Sequence, residues 1–245
     1  MNVYQNIVKN KQLNNKLFSV LIDPDKLTDK DLENIIKACH EAKTDYIFVG
    51  GSLLTENIFD NCIKIIKNNC SIPVVIFPGS IIQINENADA ILFLSLISGR
   101  NAEMLIGKHV VAAPLLKKTP IEIIPTAYML IESGKLTSVA YISNTLPIPH
   151  DKNDIAMCTA LAGEMLGLKI IFLDAGSGGF NPVSSIMINT VAHAVNIPLI
   201  VGGGIKTPEK AIENCKSGAD IIVVGNAIEK QSNLISEIAY AVHSV

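Results

Sequence analysis

LIVGGGIKTPEKAIENCKSGADIIVVGN, residues 199–226, holds two short apolar runs, each closed by glycine and joined by a stretch with helical apolar spacing. The runs Leu199–Val201 and Ile221–Val224 are made of Val, Ile and Leu, the composition of strands buried on both faces. PEKAIENCKSG (208–218) between them carries its apolar residues at helical intervals. Strand, helix, strand with no polar alternation in the strands is a parallel βα unit.

The same pattern extends through the chain. KLFSVLID (16–23), DYIFVGG (45–51), IPVVIFPG (72–79), ADAILFLSL (88–96) and KIIFLDAG (169–176) are further buried-strand runs, most ending in Gly, Asp or Ser. Helical spacing separates most of them, as in TDKDLENIIKACHEAK (28–43), NIFDNCIKIIKNN (57–69) and DIAMCTALAGEMLG (154–167). Between 105 and 150 the pattern loosens. Strand-like residues, prolines and a Ser-Gly turn predict an irregular strand pair there, with no clear helix. Counting that region, the chain has roughly eight strands in 245 residues, the size of a TIM (β/α)8 barrel. No Pro-, Gly- or Ser-rich linker interrupts it, so residues 1–245 are expected to form one domain. FVGGSLLTEN (48–57) echoes IVGGGIKTPEK (200–210), which reads equally as chance or as a half-barrel repeat.

Composition narrows the function. A net charge of −3, with 20 basic residues scattered along the chain, argues against nucleic acid as a partner. The five cysteines form no C-x-x-C pair and suggest a reducing cytoplasm. The first residues lack a signal-peptide core, and no later run is long enough for a stable membrane span. The mean hydropathy of +0.36 is high, an excess that fits an apolar ligand channel or a homo-oligomer interface.

Phosphate chemistry explains the glycines. In (β/α)8 barrels the turns after the last two strands commonly bind phosphate, because glycine lets backbone N–H groups approach and a helix N-terminus adds partial positive charge. Gly203 and Gly204 follow the seventh strand, and Gly225 and Asn226 follow the eighth. FLDAGSGG (172–179) adds a third such turn and a carboxylate, Asp174, placed either to make a turn hydrogen bond or to take a proton from a bound alcohol. At the first two strand ends stand Asp23, Asp25 and Ser52, oxygen donors of the kind Mg²⁺ takes. Asp23 could equally pair with Lys26 or cap a helix. The histidines show no zinc-binding spacing.

LIDPDK (21–26), FVGGS (48–52), VIFPGS (75–80), IIPTAYMLIE (123–132), FLDAGSG (172–178), VGGGI (201–205) and VVGNAIE (223–229), in this order, resemble the geranylgeranylglyceryl phosphate synthases and their heptaprenylglyceryl relatives. The resemblance implies an Mg²⁺-dependent prenyltransferase joining the 3-hydroxyl of sn-glycerol 1-phosphate to a polyprenyl diphosphate, geranylgeranyl or another length such as heptaprenyl. It implies Mg²⁺ at Asp23 and Ser52. The glycerol phosphate would be held by Phe172, Leu173, Asp174, Ala175, Gly176, Ser177 and Gly178, with Gly203, Gly204, Gly225 and Asn226. Asp174 is the candidate catalytic base, and apolar surface near 77–80 and 93–96 would carry the prenyl chain. Two departures stand out. The family's Tyr-Leu-Glu is Phe172-Leu173-Asp174 here, a carboxylate one methylene shorter beside a lost hydroxyl; and Leu21 stands where some relatives have lysine. Two other readings are a barrel acting on another sugar phosphate, which a strand-end lysine would favour, and a phosphate-binding barrel without catalysis.

Overall fold

The computed structural model describes residues 2–54, 58–231 and 233–245. Helix α1 (Val3–Gln12) precedes β1 (Leu17–Ile22); α2 (Asp29–Glu41), β2 (Tyr46–Val49), α3 (Phe59–Asn69) and β3 (Val74–Ile76) follow. Then come β4 (Ala90–Leu96), a π-helical turn (Glu103–Gly107), α4 (Lys108–Leu116), β5 (Glu122–Leu130), α5 (Ser138–Ser143), α6 (Asn153–Met165) and β6 (Ile170–Asp174). The chain ends with α7 (Ser185–Ala194), β7 (Leu199–Gly202), α8 (Pro208–Lys216), β8 (Ile221–Val224), α9 (Asn226–Lys230) and α10 (Leu234–His243). The eight strands pair in sequence order, all parallel, and β8 closes on β1 with Leu17 opposite Ile221.

Closure explains the apolar runs. Tyr46, Phe48, Val75, Leu92, Phe172, Ile200 and Val223 fill the barrel interior, while their strand neighbours Ile47, Val49, Ile76, Ile91, Leu173 and Val201 pack outward under the helices. Every strand residue among these is buried on one side or the other, so no polar alternation survives. Helix α1 closes the N-terminal end, where Val3 and Ile7 join the interior cluster and Lys11 pairs with Asp220 at 2.8 Å. Val3 and Tyr4 donate their N–H groups to the Glu122 carboxylate. The C-terminal end is left for chemistry.

The region expected to be an irregular strand pair without a helix is different in the structure. VVAAPLL lies in α4, and IEIIPTAYML supplies one nine-residue strand, β5. Val110, Val111 and Pro114 are poor helix residues, but His109, Ala112 and Leu116 sit at helical intervals and are buried, and that packing decides the element. Pro125 lacks an N–H yet stays in an interior strand because its carbonyl serves the next one, accepting from Lys169 N at 2.8 Å. Of the second expected strand only a bridge between Ile131 and Ile148 remains. The echo between 48–57 and 200–210 joins the ends of β2 and β7, whereas a half-barrel repeat would relate strands four apart; it is not such a repeat. Residues 55–57 of that echo lie outside the described residues.

Among the described residues no helix is long and apolar enough to cross a membrane. The cysteines are unpaired, and burial pushes the Cys39, Cys62 and Cys215 thiols up to about 12, which leaves them as inert core residues.

Candidate active site

The strands end on one rim, and their turns enclose a cleft of about 790 Å³. Asp23, Ser52, Phe172, Asp174, Gly176, Ser177, Gly178, Gly203, Gly204, Gly225 and Asn226 all line it. Leu173 and Ala175 do not. Their side chains alternate to the outer face and are fully buried in the layer beneath the helices. The Ala175 N–H is also taken, by the Gly202 carbonyl at 3.1 Å.

Glycine is required at the β7 turn. Gly203 has φ of +80°, and a Cβ there would lie 2.6 Å from Asp174 Oδ1 and 2.7 Å from Ala175 N. Gly204, with φ of +71°, would press a Cβ to 2.9 Å from the Pro182 backbone. The bare turn brings the cleft floor against the Asp174 carboxylate, and Ser177 and Asn226 meet above it, the hydroxyl donating to Asn226 Oδ1 at 3.1 Å.

Asp174 is 8% exposed. Its Oδ2 accepts from the Tyr128 hydroxyl at 2.6 Å and its Oδ1 from Gly176 N at 2.8 Å. Burial raises the carboxyl above the usual carboxylate range, and the two hydrogen bonds oppose that rise in part. Burial and the adjacent carboxylate push the Tyr128 phenol up in turn.

Across the cleft, Asp23 Oδ2 pairs with Lys26 Nζ at 2.7 Å, and Lys26 Nζ also reaches Asn226 Oδ1 at 3.4 Å. The Lys26 pairing weighed for Asp23 is therefore real, whereas its side chain makes no helix-capping bond. Asp23 Oδ1 is buried and has no hydrogen-bond partner among the described residues. A Cβ on Gly51 would stand 2.9 Å from that oxygen, so glycine keeps the space beside it open and Ser52 follows directly. Gln83, fully buried, pins this turn by donating to the Gly51 carbonyl at 3.0 Å and accepting from Gly79 N at 3.1 Å.

An apolar groove opens from the same cleft, sharing Gly51, Ser52, Phe77, Tyr128 and Val139 with it. Pro78, Ile81, Phe93, Leu94, Met104, His109, Ala112, Leu116 and Ile142 continue its wall. The stretches 77–80 and 93–96 thus contribute most of their residues to one groove, although Ser95 turns to Leu105 and His109 instead. Phe77, Tyr128 and Phe172 stand at the junction, with ring centroids 5.2 to 5.7 Å apart.

Sequence reasoning missed Tyr128, Lys135, Lys206 and Gln83. Of the cleft lysines, Lys26 ends a short 3-10 helix (Pro24–Lys26), Lys135 and Lys206 stand in loops, and none of the three lies on a strand. That distribution lacks the strand-end lysine a sugar-phosphate aldolase would favour.

A closed parallel barrel with a glycine-lined cleft at the strand ends, opening into an apolar groove, places the chain among the (β/α)8-barrel enzymes. More narrowly, the chain belongs to the PcrB family, whose model matches residues 7–242. Geranylgeranylglyceryl phosphate synthase of Chitinophaga pinensis is 56% identical over 242 residues, covering 99% of this chain and 96% of that one. The protein of the same name from Pyrococcus horikoshii is 44% identical over 220 residues, 89% of this chain and 86% of that one. Among solved structures, (S)-3-O-geranylgeranylglyceryl phosphate synthase of Thermoplasma acidophilum, in complex with substrate sn-glycerol-1-phosphate, superimposes with a TM-score of 0.94 at 34% identity over the whole of both chains. Tryptophan synthase subunit alpha of Legionella pneumophila, at 13% identity and a TM-score of 0.60, shares the fold alone.

Proposed function

We propose that this chain is a prenyltransferase that forms an ether bond between the 3-hydroxyl of sn-glycerol 1-phosphate and a polyprenyl diphosphate, geranylgeranyl before other lengths, and releases diphosphate. The carrying observation is the continuity of the glycine-lined cup with the apolar groove through the Phe77–Tyr128–Phe172 junction. A phosphorylated polyol in the cup and a hydrocarbon in the groove meet at that junction. The names of the relatives, and the ligand in the Thermoplasma structure, support the same pair of substrates.

The phosphate is held by the N–H groups of 177–178, 203–204 and 225–226 and by the Ser177 hydroxyl, where glycine lets the anion reach the backbone. The prenyl chain gains about 0.8 kcal/mol per CH₂ buried along the groove. Breaking the allylic C–O bond leaves a delocalised allylic cation, so a weak nucleophile suffices, and the glycerol hydroxyl passes its proton to Asp174. Each Asp174 oxygen already accepts one hydrogen bond and has a lone pair left for the substrate hydroxyl. The Tyr128 hydroxyl holds the carboxylate toward the cleft, on the strand next to the one where Phe172 carries none.

Asp23 and Ser52 would hold Mg²⁺. The fit rests on the unpartnered Asp23 Oδ1, the space left by Gly51 and the oxygen chemistry of the pair; one carboxylate and one hydroxyl suit an ion that takes its remaining ligands from water and phosphate. When bound, Mg²⁺ supplies charge neutralisation for the departing diphosphate. Exposed Ile106, Val110, Val111 and Leu115, at helical spacing along α4 and the turn before it, support a homo-oligomer. The free cysteines support a cytoplasmic setting.

The test is a product assay with Mg²⁺, geranylgeranyl diphosphate and each enantiomer of glycerol phosphate. Ether lipid from the 1-phosphate alone is the expected result; no product from either enantiomer overturns the reading.

A further inference from the structure

The loop between β5 and α5 is bound tightly to the phosphate turn that follows β6. The Ser133 carbonyl accepts from both Phe180 N and Asn181 N at 3.0 Å. A Cβ on Gly179 would lie 2.7 Å from Ser133 Cβ, and one on Gly176 would lie 2.8 Å from Thr137 Cγ2, so the two segments touch where the turn lacks side chains. Gly134, with φ of +82°, lets the loop reverse between these contacts.

This arrangement carries Lys135 to the mouth of the cup. The point where Gly178 lacks a Cβ is 3.4 Å from Lys135 Nζ and 3.7 Å from Asn226 Nδ2, so an ammonium and an amide flank one open position on the turn. Lys135 lies over the Phe180 ring, 4.9 Å from its centroid, and no carboxylate among the described residues pairs with it. The Lys26 ammonium, by contrast, is engaged by Asp23 at 2.7 Å. A run of polar contacts crosses the rim from Asp23 through Lys26 and Asn226 to Ser177, and Lys135 stands at its Ser177 end, away from Asp23.

We infer that Lys135 is a phosphate-binding residue of the acceptor site, leaving the Phe180 ring to meet the phosphate of glycerol phosphate beside Gly178 and Asn226. Lysine suits this role because it is a point charge on a long stem, held here by a weak exposed cation–π contact that a phosphate outcompetes. The inference rests on the acceptor reading above, and its test separates the two.

Binding of sn-glycerol 1-phosphate and of inorganic phosphate is measured by calorimetry on the wild-type chain and on Lys135→Met and Lys135→Arg. Lys135→Met should weaken both ligands by about tenfold, the scale of one hydrogen bond to a charged group, and Lys135→Arg should restore much of the loss. In turnover, the Michaelis constant for glycerol phosphate should rise by more than kcat falls, with that for the prenyl diphosphate within about twofold of wild type. Unchanged phosphate binding in Lys135→Met, or a rise confined to the prenyl diphosphate, overturns the assignment. If the wild-type chain binds inorganic phosphate and not glycerol phosphate, the acceptor reading and the glycerol phosphate assignment fall together, and the inorganic phosphate arm shows whether Lys135 is a general anion contact.

Discussion

The Tyr128 hydroxyl donates to Asp174 Oδ2 at 2.6 Å from the neighbouring strand, across a register that places Tyr128 opposite Phe172 and Leu130 opposite Asp174. This bond lowers a carboxyl that burial raises. Tyr128→Phe should therefore move the Asp174 carboxyl further up, so the acid limb of the kcat/KM profile shifts to higher pH, with about 1–3 kcal/mol of stability lost for the unpaired oxygen. A pH–rate profile with an unmoved acid limb would remove Asp174 from the role of base.

Asp174→Asn tests the same group through stability. A carboxyl raised by burial favours the folded state while protonated, and that contribution is lost as pH rises from the unfolded value through the raised folded one. Asn does not ionise. The melting temperature of Asp174→Asn relative to wild type should thus rise with pH across that window, while turnover falls by about a hundredfold or more, as for loss of a general base. Melting curves between acid and neutral pH read the first effect, and a gap constant with pH would contradict it.

The open oxygen of Asp23 makes a separate prediction. Asp23→Asn should lose Mg²⁺-dependent turnover by at least about a hundredfold, since a divalent ion supplies several kcal/mol of charge stabilisation to a leaving diphosphate. Glycerol phosphate binding should persist, because the cup lies on other strands. A magnesium titration of activity alongside a calorimetric titration of acceptor distinguishes the two, and wild-type turnover in the variant would exclude Asp23 as a ligand.

Gly203→Ala places a Cβ 2.6 Å from Asp174 Oδ1 at a φ of +80°. Both the clash and the left-handed backbone cost energy, on the order of 1–3 kcal/mol. Because the neighbour is the carboxylate itself, the variant should also bind glycerol phosphate weakly and turn over slowly. Gly167→Ala is the control: φ is +86° there with no atom of the described residues within 4 Å of the added carbon, so stability should fall by the backbone strain while acceptor affinity is kept.

Much of this architecture was readable from residues alone, and the limits have physical causes. Glycines at the ends of Leu199–Val201 and Ile221–Val224 mark the rim of the cleft, because close approach to backbone at a strand end needs residues without a Cβ. Tyr128 escaped because its role depends on which residue of β6 it faces, a register set by barrel closure. Leu173 and Ala175 belong to the contiguous motif but not to the cleft lining, because strand alternation turns every second side chain away. Lys135 lies far in sequence from the turn it serves and belongs to no motif. Val110, Val111 and Pro114 give the α4 segment a strand-like composition, and only the burial of His109, Ala112 and Leu116 makes it a helix.

That helix supplies the last prediction. Ala112 is buried on α4 and lines the apolar groove together with β4 and the turn that follows β3. Ala112→Phe adds a ring to a groove of about 130 Å³, and a hydrocarbon that must pass it loses contact along the length beyond. Each CH₂ kept in water forfeits about 0.8 kcal/mol, so kcat/KM for geranylgeranyl diphosphate should fall far more than that for geranyl diphosphate, whose chain ends sooner. Some stability, about 1–3 kcal/mol, should go with the overpacking. Competition between the two donors in one tube reads the ratio independently of the amount of folded protein. Equal losses for both would place the prenyl chain elsewhere than along α4.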